Sequence, residues 1–227
     1  MNRDELRSRA PALSPTHRLL DGVTVLMPTD GEAGGSWIAA NDFGHTLALL
    51  NRWDDAPHDV PGPFISRGLL VAQLAATAGP AEVYRALGSI ELQRYRPFTL
   101  ASVGPAEDPR LFEWNGQALE RVTVSEPGLL RASSGSDQAG AERERGALFR
   151  AAAAQPGGLD EAALWALHRS HLPEKGALSI CMHREEAVTV SLSLIMVSPS
   201  LVRFRYVKGS PCEAVESEEF VLERSRM

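Results

Sequence analysis

The spacing of apolar positions changes along the chain, and each change marks an element. Residues 23–28 form a short β-branched run that predicts a strand. Residues 36–41 and 45–51 read as two strands around Asn41-Asp42-Phe43-Gly44, a hairpin turn. The stretch before them, residues 1–20, is polar and Pro-punctuated and is expected to be loop. A loop bearing Pro57, Pro61 and Pro63 runs to Ser66, which suits a helix N-cap. Leu69, Leu70, Gln73 and Leu74 then recur at helical spacing, Gly79-Pro80 stops that helix and starts another, and Val83, Leu87 and Ile90 continue the stripe.

Residues 98–103, 111–114, 118–124 and 129–132 read as strands, with Asn115-Gly116 as a hairpin signal between two of them. Helices are predicted over 141–154 and 160–171, and strands over 179–183, 187–195 and 201–207. Strands, helices, strands, helices, strands: such segregated runs argue for an α+β fold, one domain over residues 1–227 in which helices cover two sheets as a four-layer αββα sandwich.

Composition narrows the function classes. A chain of 227 residues buries a full core without disulfides or metals. Its net charge of -6 speaks against non-specific nucleic-acid binding. The two cysteines, Cys181 and Cys212, suggest no oxidised scaffold. The N-terminus is charged from its third residue and no apolar run is long enough to span a bilayer, so a cytoplasmic location is expected. Walker loops, Gly-x-Gly-x-x-Gly, Gly-x-Ser-x-Gly and His-Glu-x-x-His are all missing from the sequence.

Several residues have both a plain and a chemical reading. Arg3 and Asp4 are either a surface ion pair or a site pair. Asn41 and Gly44 suit turn chemistry. Asn51 ends a strand, as a site residue or a cap. Trp37, beside Ile38, fits core packing or a ligand platform. Arg67 follows the N-cap and either reaches an anionic substrate or solvates a helix start. His168 and His171 fall on one predicted helix face, and Cys181 and His183 on one side of a predicted strand. Together these four suit zinc or haem iron, or two half-buried histidines and a core thiol; their spacings fit no standard zinc motif, so no metal ligand is assigned.

Seven blocks carry a resemblance: Asn2-Arg3-Asp4-Glu5, Gly34-Gly35-Ser36-Trp37, Asn41-Asp42-Phe43-Gly44 with Leu49-Leu50-Asn51, Ser66-Arg67-Gly68-Leu69, Tyr95-Arg96-Pro97-Phe98, Cys181-Met182-His183-Arg184 and Gly209-Ser210-Pro211-Cys212. In this order they resemble the NRDE family, also called the transport and Golgi organization 2 family. That family in turn resembles the N-terminal-nucleophile hydrolases of the choloylglycine hydrolase and penicillin acylase type. The resemblance implies a small-molecule ligand and a reaction at a linear amide, hydrolysis or acyl transfer. Arg3 and Asp4 would tune an N-terminal cysteine and Asn51 would help hold the oxyanion. Asn2, Trp37, Asn41, Arg67 and His183 would line the substrate site. It also implies an alternative, non-catalytic binding or trafficking of haem or of lipid and acyl-coenzyme A, with no resident cofactor.

The sequence departs from the pattern at its start. Met1 directly precedes Asn2, where the resemblance places a first strand beginning with the cysteine. The expectation is a first sheet short of that strand and a chain inactive by this mechanism unless an upstream cysteine opens the native protein. Oligomeric state and substrate identity are not encoded in any motif.

Overall fold

The computed structural model describes residues 1–53, 63–124, 128–214 and 216–225; Pro57 and Pro61 of the predicted loop lie outside them. The strands are β1 (Asn2–Leu6), β2 (Leu13–Leu20), β3 (Val23–Thr29), β4 (Ile38–Asn41), β5 (Thr46–Asn51), β6 (Phe98–Val103), β7 (Arg110–Trp114), β8 (Leu119–Thr123), β9 (Ala187–Val197), β10 (Leu201–Lys208) and β11 (Glu218–Glu223). The helices are α1 (Arg67–Leu74), α2 (Pro80–Leu87), α3 (Gln138–Ala153) and α4 (Glu161–His168), with a 3-10 turn at Leu92–Arg94. The class is α+β, with one sheet ordered β2-β3-β4-β5-β6-β7-β8 and another ordered β1-β9-β10-β11.

The chain packs as two compact units. The larger comprises Ala10–Ser125, Leu194–Arg205 and Glu219–Met227. Its seven-stranded sheet is antiparallel throughout. Val25, Met27, Leu47, Leu49, Phe98, Leu100 and Phe112 form one buried cluster with Leu70, Val71 and Leu74 of α1 and Val83 and Leu87 of α2. Pro80 opens α2, and the Glu82 carboxylate accepts from the Ala78 N–H at 2.7 Å, satisfying a donor at the helix start. Ser66 stands at the N-cap position of α1, but its side chain makes no capping bond. At that point two backbones touch: the Ser36 N–H donates to the Gly68 carbonyl at 2.9 Å, and a Cβ on Gly35 would lie 2.3 Å from the Gly68 carbonyl carbon.

Residues 1–20 are not loop. They supply β1 and β2, and β2 pairs with β3 across an Asp21-Gly22 turn in which both residues have positive φ. The strand lacks an apolar face to reveal it: Leu13 and Leu19 are exposed, and Pro15 is tolerated because it sits at a register shift in an edge strand. The predicted strand at 129–132 makes no ladder, since a four-residue apolar run does not by itself specify a partner. Strand β11, charged and largely exposed, has no counterpart in the sequence expectation.

The smaller unit comprises Met1–Arg9, Glu126–Ser193 and Tyr206–Glu218. Asp137 caps α3 by accepting from the Gly140 N–H at 2.8 Å, and Asp160 caps α4 through the Ala163 N–H at 2.7 Å. Helix α4 stops at His168, three residues before the predicted end, where the Asn2 amide rather than a further helical turn satisfies the His168 carbonyl at 3.0 Å. Residues 179–183 are not a strand either. The Ser179 hydroxyl lies 2.8 Å from the Gly176 carbonyl and 2.7 Å from that of Cys181, folding the segment on itself, and only His183 forms an isolated bridge, to Val188.

Candidate functional site

Strand β1 pairs antiparallel with β9, Asn2 opposite Leu192 and Asp4 opposite Thr189, with a register shift between Arg3 and Asp4. Such an irregularity re-aims the side chains that follow it. The Thr189 hydroxyl donates to the Asp4 carboxylate at 2.6 Å, and the same oxygen accepts the Met182 N–H at 2.8 Å. The buried guanidinium of Arg145 on α3 lies 3.7 Å from the other Asp4 oxygen and donates to the carbonyls of Leu178 and Ala177. Small residues make this approach possible, because Gly140, Ala141 and Gly146 form the buried face of α3 around Arg145. Burial pushes the Asp4 carboxyl above its usual range, opposed by Arg145 and by the Thr189 hydrogen bond. Burial likewise lowers Arg145, opposed by Asp4.

Arg3 is buried and pairs with Glu5 at 3.2 Å. Asn2 spends its amide donors on the carbonyls of His168 at 3.0 Å and Ile180 at 2.8 Å, tying the end of α4 to the following loop. Asn2 Oδ1, His168 Nδ1 and Ser193 Oγ are among the atoms buried here without a hydrogen-bond partner. Burial holds His168 well below the usual histidine value.

The same unit gathers thiols and imidazoles. One donor atom from each of His171, Cys181, His183 and Cys212 lies within 4.8 Å of the others. His183 Nε2 is 3.6 Å from Cys181 Sγ and 3.3 Å from Cys212 Sγ, and the two imidazoles meet edge to face with centroids 5.1 Å apart. Burial pushes the Cys181 thiol up to about 12 and lowers His183. His168, grouped with His171 in the sequence reading, is not among the four, and Cys212, distant in sequence, is.

The remaining predicted residues lie in the larger unit. Asn41 is fully buried and saturated: its amide donates to Ala75 O at 2.9 Å and Thr77 O at 2.8 Å, and its Oδ1 accepts from the N–H groups of Phe43 and His45 at 3.1 Å each. That is the turn role, and it leaves nothing for a ligand. Trp37 is buried beside Ile38. Asn51 is exposed at the end of β5, opposite Phe98. Arg67 donates to Pro97 O at 2.8 Å and stacks 5.9 Å above the Trp53 ring; burial, then the charge of Arg96, lower its pKa to about 10. The sequence reading passed over His45, which is buried with Nδ1 donating to Thr77 O at 2.8 Å and Nε2 2.7 Å from the Ser102 hydroxyl. Burial lowers its pKa to about 4, fixing the neutral ring.

Among the described residues no helix is long and apolar enough to cross a membrane. The fold is similar to that of a conjugated bile acid hydrolase mutant from Clostridium perfringens, with a TM-score of 0.54 at 11% identity, covering 99% of this chain and 88% of that one. A second variant of that enzyme superposes with a TM-score of 0.47 at 11% identity and the same coverage. The first of these superpositions shows that the fold is N-terminal-nucleophile-hydrolase-like. Curated proteins give no match to the sequence. The model of one family, Transport and Golgi organisation 2, matches residues 1–135, more than half of the 227 residues. The chain belongs to the transport and Golgi organisation 2 family.

Proposed function

We propose that the protein is an amidohydrolase or acyltransferase of the N-terminal-nucleophile type that acts on linear amides. The observation that carries this is the Asp4 carboxylate, held by Thr189 at 2.6 Å and Arg145 at 3.7 Å on β1. A carboxylate so restrained suits the orientation of an amine that serves as base to a neighbouring thiol. The reading needs a cysteine ahead of Asn2. The solved neighbour's substrate class, an acyl group in amide linkage to an amine, is the class to try first.

The first test is the mass of the N-terminal peptide of protein isolated from its own cells. The second is amine release from glycine-conjugated bile acids and simple N-acyl amino acids. Turnover that disappears when the leading cysteine is replaced by Ala, and falls about 100-fold in Asp4→Asn, supports the reading. Turnover that survives the cysteine replacement, or a native N-terminus without a cysteine, overturns it. Arg3 is engaged with Glu5, so its part in tuning a thiol is read from the pH profile of Arg3→Gln.

The alternative implied by the resemblance is carriage of haem or of a lipid or acyl-coenzyme A without turnover. Haem titration of the purified protein tests it: a haem absorbance change that is lost in His183→Ala supports carriage, and no spectral change overturns it.

A further inference from the structure

We propose that His171, Cys181, His183 and Cys212 form a tetrahedral zinc site that staples the irregular part of the smaller unit. The inference stands independently of the amide-hydrolase reading. In a zinc tetrahedron with Zn–S of about 2.3 Å and Zn–N of about 2.0 Å, neighbouring donor atoms stand roughly 3.3–3.8 Å apart. The two distances from His183 Nε2, 3.6 Å to Cys181 Sγ and 3.3 Å to Cys212 Sγ, fall in that interval, and all four donors lie within 4.8 Å of one another. A contraction of at most about 1.5 Å in the longest pair closes the set on one ion.

The chemistry of the donors selects the ion. Two thiolates and two imidazoles suit a soft, tetrahedral cation such as zinc and suit magnesium or calcium poorly. Two further observations point to a ligand. His171 Nε2 is buried with no hydrogen-bond partner, an expensive state for a ring nitrogen. Both cysteines are free, although their sulfurs belong to one cluster.

The site also has structural work to do. His171 follows the end of α4, Cys181 and His183 lie in a stretch without helix or strand, and Cys212 sits in the turn after β10. Backbone bonds that hold these pieces include Cys181 N to Ser170 O at 3.0 Å, His183 N to Gly176 O at 3.1 Å, Thr189 N to Met182 O at 2.9 Å, Arg184 N to Ala187 O at 2.8 Å and the turn bond from Glu213 N to Ser210 O at 3.0 Å, none of which joins the Cys212 turn to the other two segments. Four protein ligands leave no coordination position for a substrate, so the ion acts as a cross-link between three segments distant in sequence. Binding displaces the thiol protons of Cys181 and Cys212 into solvent, and no redox change is involved.

The test uses the full-length protein purified without added metal, stripped with chelator and titrated with cobalt as a spectroscopic stand-in for zinc. The expected result is one equivalent of cobalt giving the intense visible bands of a tetrahedral ion with a thiolate-to-cobalt band in the near ultraviolet, both displaced by one equivalent of zinc. Zinc should raise the unfolding temperature of the smaller unit. Cys212→Ser and His171→Gln, both at half-buried positions, should each weaken cobalt binding at least about 100-fold while keeping the native circular dichroism. A flat titration of folded wild-type protein, octahedral-type weak bands, or full affinity in both variants overturns the site. A Cys181–Cys212 disulfide in protein taken directly from cells also overturns it.

Discussion

Acidification should weaken the fold through His45. In the folded protein its neutral ring is locked: Nδ1 donates to the Thr77 carbonyl, so Nε2 is the acceptor of the Ser102 hydroxyl. Burial takes its pKa from 6.5 to about 4, with the Thr77 bond and the Glu82 charge opposing the shift. A histidine lowered on folding binds its proton more readily when unfolded. Its stabilising contribution is therefore complete above the unfolded pKa near 6.5 and is lost as pH falls toward 4. A shift of that size corresponds to roughly 3 kcal/mol across the window. The assay is urea unfolding at half-unit steps from pH 8 to pH 4.5, for wild type and His45→Asn, together with the ring-proton NMR titration of His45. The variant should start less stable and lose less on acidification, the two profiles converging toward pH 4.5. An NMR midpoint near 6.5, or parallel stability profiles, would refute the reasoning.

Other perturbations follow from the same geometry. Gly35→Ala places a methyl against the Gly68 backbone and should destabilise by about 3 kcal/mol, read as a lowered urea midpoint at unchanged slope. Asn41→Ala leaves the Ala75 carbonyl and the Phe43 and His45 N–H groups without the Asn41 partner, while Thr77 O keeps its bond from His45, and should cost about 3 kcal/mol; Asn41→Asp, which keeps only the acceptor, should recover part of it. Arg145→Met removes the cation paired with Asp4 and should cost about 3 kcal/mol at pH 7 by thermal unfolding, with a smaller loss near pH 4 where the raised Asp4 takes up a proton.

The hairpins were legible because turn chemistry is local: Asn41 to Gly44 and Asn115-Gly116 carry their own hydrogen bonds and backbone angles. Asp21-Gly22 carried an equal signal for the β2–β3 hairpin, but the polar, exposed β2 offered no alternation to set beside it. Strands β2 and β11 are held mainly by ladder bonds rather than by a buried face, and ladder partners are not written in a strand's own residues. The site divides the same way. Asn2, Arg3 and Asp4 were legible as a motif, yet Thr189 and Arg145, which hold Asp4, come from β9 and α3 and have no spacing that announces them. Likewise, Cys181 and His183 were read as neighbours on a strand, whereas the segment's loop conformation is what brings His171 and Cys212 to them.

The pairing of β1 with β9 has a consequence for how the protein is made. Asn2 faces Leu192 and Leu6 faces Ala187, so the strand that carries Asp4 is synthesised long before its partner exists. At ordinary translation rates that interval is about 10–40 s, during which residues 2–6 have no sheet to join. The larger unit's sheet, whose neighbours are consecutive in sequence, can assemble meanwhile. The Asp4–Thr189–Arg145 arrangement is thus among the last to form on the ribosome, and a nascent chain arrested before residue 187 would carry the Asn2–Glu5 motif with nothing to align it.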